Sequence, residues 1–256
     1  MITLTTDFGL NDPYIAQMKG AIYTLNPNAK IVDITHGVDK FNIYMGAFML
    51  ASVAPYFPAG TVHVAIVDPG VGTERRAIVV QTQQAFFVGP DNGLLMLAAQ
   101  QQGIKHVYEL SNSKFRLPKV SSTFHGRDIF APAAAHIDKG ISVAEFGSEI
   151  THPLTPKFAS IQNINGTISG QILYVDSFGN AITNIPSGSI QSQTVKVGLP
   201  QGMLTLPLRE TYAQTNPKEA VALVGGHGFL ELALNQDSFA KKYLISIGDS
   251  VNVTFV

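Results

Sequence analysis

The sequence predicts an α/β domain with a mostly parallel sheet, followed by a small all-β domain. In the first half of the chain, short β-branched stretches alternate with apolar stretches of helix length. This alternation is typical of a mostly parallel sheet that helices cover on both faces. After about residue 152 the helical pattern stops, and short strand-like runs separated by turn residues take its place. Such runs indicate a small sandwich or barrel.

The elements of the first half are predicted from local signals. Pro13 opens a helix because proline suits the first helical position. Pro55 and Pro58 end a second helix, which is apolar almost all round and is therefore expected to be buried. The predicted strands cover residues 1–6, 30–34, 62–67, 77–82, 85–88 and 106–109, and the predicted helices residues 13–25, 42–53, 94–102 and 129–138.

The second half is predicted to contain strands alone. Its clearest signal is Ser-Phe-Gly-Asn at 177–180, a turn between two strand-like runs that predicts a hairpin. A polar, glycine-containing connector at 160–169 precedes it, so we divide the chain into domains 1–155 and 165–256. The predicted strands cover residues 171–176, 181–185, 194–198, 203–208, 220–224, 229–233, 244–247 and 251–255.

The composition narrows the possible partners. Charged residues make up 14% of the 256 residues, against about 25% in an average soluble protein. Sparse charge suggests that other subunits cover part of the surface. The net charge of −1 gives no electrostatic reason to expect nucleic acid or an anionic membrane as partner.

The absence of cysteine excludes disulfides, thiolate catalysis and cysteine-type zinc sites. The N-terminal residues lack the basic start and the apolar core of a signal peptide. No apolar run approaches the ~20 residues that span a bilayer. We therefore expect a soluble, cytoplasmic protein.

The strongest candidate for chemistry is the stretch 67–76, in which an apolar strand delivers Asp68 to a Pro-Gly turn. Open α/β sheets bind their ligands at the carboxyl ends of strands. Arg75, further along the same loop, can hold that carboxylate ionised and oriented. Alternatively, Asp68 satisfies a turn, as aspartate often does, and Arg75 lies in solvent. The stretch alone leaves both interpretations open.

Two carboxylates, Asp7 and Asp12, follow the first predicted strand. Carboxylates in that place can accept both hydroxyls of a ribose or the amino group of an amino acid. They could also bind Mg²⁺, as in a metal-dependent phosphoesterase. Asp12 could also simply cap the helix that begins at Pro13.

A third cluster, Phe-His-Gly-Arg-Asp at 124–128, precedes a predicted helix. His125 could be a polar catalytic partner, whereas Asp128 is equally well explained as a helix cap. The other histidines show no recurring ligand spacing, so we expect no metal site. The glycines at 70–72 precede a strand and not a helix, so they are no dinucleotide fingerprint. No Walker or Gly-x-Ser-x-Gly sequence occurs.

Together these segments resemble the S-adenosylmethionine hydroxide adenosyltransferase family. Its members are related to the fluorinating and chlorinating enzymes, which attack the ribose C5′ of the same substrate with halide. The resemblance covers essentially the whole chain. It rests on Thr-Asp-Phe-Gly at 6–9, Val-Asp-Pro-Gly-Val-Gly-Thr at 67–73 with Arg75, Gly-Pro-Asp-Asn-Gly at 89–93, Phe-His-Gly-Arg-Asp at 124–128 and Asp-Ser-Phe-Gly-Asn at 176–180.

The resemblance implies an α/β N-terminal domain, a C-terminal β-barrel and a homotrimer, with each site between the N-terminal domain of one subunit and the C-terminal domain of its neighbour. Asp68, Arg75 and His125 match the set that holds the attacking water. Asp7 matches the carboxylate on the ribose hydroxyls, and Asp12 the contact to the methionine amino group. The remaining matches are Phe41 as an aromatic wall beside the ribose, and Phe178, Asn180 and Tyr212 as adenine contacts.

The residue at position 68 decides which reaction the resemblance implies. In the halogenating relatives this position is not acidic, whereas Asp68 would repel a halide yet can hydrogen-bond water and accept its proton. The fluorinases also carry an extra loop between the strands ending near Thr82 and Gly89, where this chain is short. We therefore expect hydrolysis of S-adenosyl-L-methionine at C5′ to adenosine and methionine, without cofactor or metal. A binding sensor for adenosine or S-adenosylmethionine and a halogenase are the alternatives.

Overall fold

The computed structural model describes residues 1–190 and 192–255, and this part of the chain forms two compact units. The first unit spans Met1–Thr155 and the second Pro156–Val256. Each unit has a hydrophobic core of its own.

The first unit is a six-stranded sheet covered by helices on both faces. Its strands are β1 (Ile2–Thr6), β2 (Ile31–Thr35), β3 (Val62–Ile66), β4 (Ala77–Thr82), β5 (Phe86–Pro90) and β6 (Ile104–Glu109), and its helices are α1 (Tyr14–Leu25), α2 (Ile43–Val53), α3 (Met96–Gln101) and α4 (Ala131–Asp138). Helices α1 and α4 pack together, as do α2 and α3. Among the residues described, no helix has both the length and the apolar character that crossing a membrane requires.

The sheet is mixed, which corrects the prediction of a mostly parallel sheet. Its strands lie in the order β2-β1-β3-β5-β4-β6. The pairs β1–β2, β1–β3 and β3–β5 are parallel, whereas β4 runs antiparallel to both β5 and β6. Only residues 83–85 separate β4 from β5, and a parallel connection needs a dozen residues or more. The short connection therefore makes this pair a hairpin.

The predicted helix 129–138 lies within a longer helical segment that begins earlier and with a different geometry. Residues 126–130 form a π-helical turn, and α4 starts only after it. Pro132 lacks the N–H group that would donate to the carbonyl of Asp128 in an α-helix. That carbonyl instead accepts a hydrogen bond from the Leu117 N–H at 2.9 Å. A proline inside the helical stretch thus accounts for the wider turn.

The second unit is a closed β-barrel, as the family resemblance implies. Its strands are β7 (Gln162–Ile164), β8 (Thr167–Val175), β9 (Ala181–Pro186), β10 (Thr194–Leu199), β11 (Gly202–Arg209), β12 (Ala220–Val224), β13 (Phe229–Leu234) and β14 (Ser250–Phe255), with one short helix, α5 (Phe239–Lys242). Within the described residues, seven strands close the barrel in the order β14-β10-β11-β12-β13-β9-β8, because β14 also pairs with β8. Strand β7 pairs with β8 outside this ring.

Alternating side chains fill the barrel. In β10, Val195 and Val197 are buried while Lys196 between them is exposed, so one face of the strand points inward. The prediction of strands alone is wrong at two places. Residues 239–242 form α5, and residues 244–247, predicted as a strand, lie in the loop between α5 and β14.

His63 is a buried histidine in the middle of β3, on the face opposite Val62 and Val64. Its Nδ1 lies 2.8 Å from the Thr3 hydroxyl, its ring stacks on Phe87, and no described group bonds its Nε2. Burial lowers the pKa of His63 from 6.5 to about 4. The side chain is therefore neutral in the folded protein near pH 7.

This lowered pKa predicts an acid-sensitive stability. Below pH 6.5 the unfolded chain takes up a proton on His63 that the folded chain refuses until about pH 4. The free energy of unfolding should therefore fall by about 3 kcal/mol from this residue as the pH drops through that window, and no further below it. Urea unfolding of the protein and of His63→Leu between pH 7.5 and 4 measures the difference.

His152→Leu is the matched control, because His152 is exposed. It should keep the pH dependence of the unmodified protein, while His63→Leu should flatten it. Parallel curves for the protein and His63→Leu would contradict the assignment.

Candidate active site

The carboxyl ends of β1 and β3 lie side by side and bring the first candidate residues together. The two strands pair in parallel, with Thr6 opposite Ile66. Asp7 follows β1 directly, and Asp68 follows β3 after Val67. Because parallel strands end at the same edge of a sheet, both carboxylates lie at this edge.

Asp68, Arg75 and His125 form one hydrogen-bonded network. The Arg75 Nε donates to both Asp68 carboxylate oxygens at 3.0 Å, and its Nη2 donates to Oδ2 at 2.5 Å. The same Nη2 lies 2.8 Å from Nδ1 of His125. The side chains of Asp68 and Arg75 are only 5% and 11% exposed. Arg75 is therefore not in solvent, and the turn interpretation of Asp68 alone is insufficient.

The loop after β3 folds back to place Arg75 beside Asp68. Backbone bonds from Val71 to Asp68 and from Thr73 to Gly70 make two successive turns. Gly72 has φ +79°, and a Cβ there would lie 2.2 Å from the Ser122 carbonyl oxygen. A side chain cannot fit in that gap, so glycine lets the loop contact the segment that carries His125.

The network fixes the proton arrangement of His125. Arginine can only donate, so Nδ1 of His125 accepts the bond from Arg75, and the neutral ring carries its proton on Nε2. Burial lowers the pKa of His125 below its ordinary value, and the positive charge of Arg75 lowers it further. Both effects favour the neutral ring at pH 7.

A hydrogen bond joins Asp7 to Phe41, a residue with an uncommon backbone conformation. Asp7 is 5% exposed, and its Oδ2 accepts a hydrogen bond from the Phe41 N–H at 2.9 Å. Phe41 has φ +64°, a left-handed conformation that is uncommon for a bulky side chain. The Lys40 ammonium donates to the Asp7 carbonyl oxygen. These contacts fix one oxygen of the Asp7 carboxylate and leave the other available to a ligand.

These residues surround a cavity of about 580 Å³. Asp7, Phe41, Asp68 and His125 line it, while Arg75 reaches it only through Asp68 and His125. One wall is aromatic, made by the edge-to-face rings of Phe8, Tyr14 and Phe124. A cavity with apolar walls and a few placed polar groups suits a small organic molecule.

Neither Asp12 nor Asp128 is a helix cap, which corrects the capping alternative that the sequence offered for both. Asp12 is exposed and does not line the cavity, and α1 begins without a side-chain cap. Asp128 is fully buried, and its Oδ2 accepts a hydrogen bond from the Ser121 N–H at 2.7 Å. It therefore holds the loop before His125 and does not cap a helix.

Sequence reasoning missed several cavity residues. Lys40, Tyr14, Gln17 and Arg127 all line the cavity. Arg127 lies within the recognised stretch 124–128, and Lys40 precedes Phe41, so their positions carried a signal. Nothing in the spacing of Tyr14 and Gln17 marks them, because both are ordinary residues of a helix.

The barrel unit has its own cavity, of about 620 Å³, lined by Phe178, Asn180 and Tyr212. The Asp176 carboxylate accepts hydrogen bonds from the backbone N–H groups of Phe178 and Asn180 and from the Asn180 side chain, all at 2.9 Å. Phe178 is 78% exposed. The tight turn thus presents an aromatic ring and an amide side by side.

Tyr212 is held by a buried carboxylate that the sequence did not reveal. Its hydroxyl donates to Glu231 Oε1 at 2.6 Å, and His227 Nε2 lies 3.1 Å from Glu231 Oε2. Burial and the bond to Glu231 raise the pKa of Tyr212, which therefore stays protonated. Glu231 looks like any polar residue in a strand, so only its burial marks it.

Within residues 1–190 and 192–255, no group of three or more acidic or histidine side chains is arranged to hold a metal ion. The pair Asp7 and Asp12, considered above as a Mg²⁺ site, is split between a buried and an exposed residue.

This geometry is typical of enzymes that act on small molecules. A nearly buried carboxylate paired with arginine and histidine at a strand end is a site for activating a bound reactant, and the two cavities offer room for an organic substrate.

Comparison with known families identifies which class of enzyme this is. Residues 2–147 match the SAM hydroxide adenosyltransferase N-terminal domain, and residues 170–252 match the C-terminal domain of the same family. The chain belongs to the SAM hydroxide adenosyltransferase family, which confirms the resemblance.

Curated relatives cover the full length of the chain. The (R)-S-adenosyl-L-methionine hydrolase of Methanocaldococcus jannaschii is 34% identical, covering 100% of this chain and 96% of the relative. The enzyme of the same name from Salinispora tropica is 36% identical, covering 99% and 97%. A fluorinase from an Actinoplanes species is 29% identical, covering 99% and 97%.

Solved structures share the fold. An uncharacterized conserved protein from Thermotoga maritima is 34% identical with a TM-score of 0.85, covering 99% of this chain and 100% of that one. A conserved hypothetical protein from Thermus thermophilus is 30% identical with a TM-score of 0.79, covering 98% of each chain.

The contact at Gly72 predicts a graded effect of two glycine substitutions. Gly60 and Gly72 both have positive φ, but a Cβ at Gly60 meets no atom within 4 Å. Gly60→Ala should cost about 1 kcal/mol of stability through its backbone conformation. Gly72→Ala should cost roughly 1–3 kcal/mol more, because its Cβ collides with the Ser122 carbonyl.

Urea unfolding of both variants measures the two costs. Equal losses at the two positions would show that the loop carrying Arg75 does not depend on close contact with residue 122.

Proposed function

We propose that the protein hydrolyses S-adenosyl-L-methionine at the ribose C5′ and releases adenosine and L-methionine. The observation that carries this proposal is the Asp68–Arg75–His125 network at the edge of a cavity with aromatic walls. Two relatives named (R)-S-adenosyl-L-methionine hydrolase, 34% and 36% identical over almost their whole length, support the substrate.

The substrate contacts are proposed residue by residue. The free oxygen of Asp7 would accept the ribose hydroxyls, with the exposed ring of Phe41 beside the sugar. Phe178 and Tyr212 would stack on adenine, and Asn180 would hydrogen-bond it. Asp12 would contact the methionine amino group. In the complex, the substrate or a neighbouring subunit would then cover the Asp12 side chain, which is exposed in the isolated chain.

Asp68 favours water over halide as the nucleophile. A carboxylate beside the reacting carbon repels chloride or fluoride, but it can accept a hydrogen bond from water and then its proton. The Arg75 guanidinium orients the Asp68 carboxylate through hydrogen bonds to both of its oxygens. The Nε2–H of His125 can donate a further hydrogen bond and so orient the water.

The reaction balances without a cofactor. The water oxygen forms a bond to C5′ while the C5′–S bond breaks, and its electron pair returns to sulfur, which becomes the neutral thioether of methionine. The water proton passes to Asp68 and Arg75 stabilises the developing hydroxide charge. Holding one water in line with the C5′–S bond in a dry pocket removes much of the cost of desolvation and orientation.

Incubation of the purified protein with S-adenosyl-L-methionine tests the function directly. Chromatography should show adenosine and methionine in equal amounts, in the presence of chelator and in high chloride alike. Tight binding by calorimetry without adenosine release would favour a sensor, and 5′-chloro-5′-deoxyadenosine in high chloride a halogenase. Loss of activity with chelator would favour a metal-dependent reaction.

The chain offers a matched pair of variants for the role of Asp68. Asp91 is likewise a buried carboxylate paired with an arginine, the more exposed Arg76, whose Nη2 lies at 2.5 Å, but Asp91 does not line the cavity. Asp68→Asn should lower kcat by roughly 10²-fold or more, because the amide cannot take the water proton. Asp91→Asn should lower stability while the turnover of the folded protein stays near normal.

Measuring kcat and the affinity for S-adenosyl-L-methionine in both variants separates chemistry from binding. Similar turnover in Asp68→Asn and Asp91→Asn would remove Asp68 from the reaction.

We further propose that the active form is a cytoplasmic homotrimer in which the Asp68 half of each site and the Phe178 half come from different subunits. The low charged fraction of 14% supports a covered surface. Exposed aromatic rings occur in both units, at Phe41, Phe178 and Tyr212. Exposed rings are expected where each unit contributes half of a site that another subunit completes.

Co-expression of two inactive variants tests this arrangement. Asp68→Asn removes the chemistry, and Phe178→Asp places a charge where adenine would stack, at an exposed position that tolerates it. In mixed trimers about a quarter of the sites would combine two intact halves, because each half comes from a random parent. Adenosine release well above both parents is expected. No gain over the parents would show that each site lies within one subunit.

A further inference from the structure

Phe130 lies against the arginine of the catalytic network. Its side chain is fully buried, and the central guanidinium carbon of Arg75 lies 5.3 Å from the centroid of its ring. A delocalised cation at this distance from an aromatic face is attracted by the electrons of the ring. The attraction grows when water is excluded, as it is around a side chain that is 11% exposed.

The guanidinium is contacted by two polar side chains and by one aromatic ring. Asp68 and His125 accept hydrogen bonds from N–H groups of the guanidinium, at 2.5–3.0 Å. These bonds are strong only while the N–H groups point at their acceptors, so they depend on the plane of the guanidinium. The face of the Phe130 ring lies over the central carbon of the guanidinium and therefore limits its movement away from these acceptors.

The π-helical turn explains how one short segment supplies both contacts. His125 and Phe130 are five residues apart and flank the turn of residues 126–130. In a regular α-helix, five residues end about 140° past a full turn, so the two side chains would point in different directions. The wider turn lets His125 reach an N–H group of Arg75 while the Phe130 ring lies against the guanidinium carbon.

We propose that Phe130 is a positioning residue for the reaction, and that its ring holds the Arg75 guanidinium in the position from which it binds Asp68 and His125. This inference rests on the proposed function. Phe130 does not line the cavity, so it acts through Arg75 and does not touch the substrate. A weaker ring should therefore lower kcat and leave KM nearly unchanged.

Site-specific incorporation of phenylalanine analogues with one, two and three ring fluorines tests the electronic contact without changing the fold, because fluorine withdraws charge from the ring face at nearly constant shape. At position 130, kcat for adenosine release should fall stepwise, by roughly 10-fold across the series. The matched control is Phe146, which is 1% exposed and packs on the Phe115 ring. The same analogues there should change kcat less than about 2-fold.

Titration of His125 by NMR gives a second readout that needs no turnover. Besides Arg75, the charges that face His125 are Asp68, Arg116 and Asp128. In Phe130→Leu the guanidinium should move from His125, so the pKa of His125 should rise, whereas Phe146→Leu should leave it unchanged. A loss of core packing alone would change the pKa of His125 equally in Phe130→Leu and Phe146→Leu. A difference between the two variants therefore reports the contact of Phe130 with Arg75.

The outcomes separate the two proposals. Absence of adenosine release from the unmodified protein would overturn the proposed function, and the His125 titration would then decide the role of Phe130. Normal adenosine release with equal effects of fluorination at positions 130 and 146 would overturn the role of Phe130 and leave the function standing.

Discussion

The ion pair between Asp68 and Arg75 constrains the surrounding structure more than any other contact at the candidate site. Both side chains are almost buried, so each charge depends on the other for the stabilisation that water would otherwise provide. Removing either partner would leave an uncompensated charge at the end of β3. The loop that joins the two residues must therefore keep one shape. The close approach of Gly72 to Ser122 and the contact of Arg75 with His125 then fix where the neighbouring segment lies.

Two adjacent arginines pair with different carboxylates. Arg75 turns to Asp68 at the cavity, whereas Arg76 pairs with Asp91 and donates to the carbonyl oxygen of His152. Successive side chains of an extended segment point to opposite sides, so one loop can serve both purposes. The Asp91 carboxylate also accepts the Leu154 N–H, which ties the last residues of the first unit to its sheet. Residues 75 and 76 thus connect the candidate site at the end of β3 to the contacts that hold the end of the first unit.

Much of the architecture could be predicted from the sequence, and the failures have physical causes. The change from helices and strands to strands alone is visible in the sequence, because the spacing of apolar residues and the positions of turn residues depend on local structure. The direction of β4 could also have been predicted, because the predicted strands 77–82 and 85–88 leave only two residues between them, too few for a parallel crossover, but this signal was not used. The wide turn before α4 follows from Pro132, whose missing N–H was present in the sequence but was not used. Asp68, Arg75 and His125 were named from one loop and one motif, and the structure brings them into contact. The roles of Glu231 and Phe130 could not be predicted, because a strand glutamate and a helical phenylalanine reveal their function only through what they touch in three dimensions.

The central claim is that the network at the end of β3 directs water to a carbon of the nucleoside, and isotope labelling tests this most directly. Turnover of S-adenosyl-L-methionine in H₂¹⁸O, followed by mass spectrometry of the products, locates the new oxygen. The account predicts one ¹⁸O atom in the 5′-hydroxyl of adenosine and none in methionine. Label in a product of the amino acid side chain, with 5′-methylthioadenosine as the nucleoside product, would place the attack on a different carbon and contradict the account.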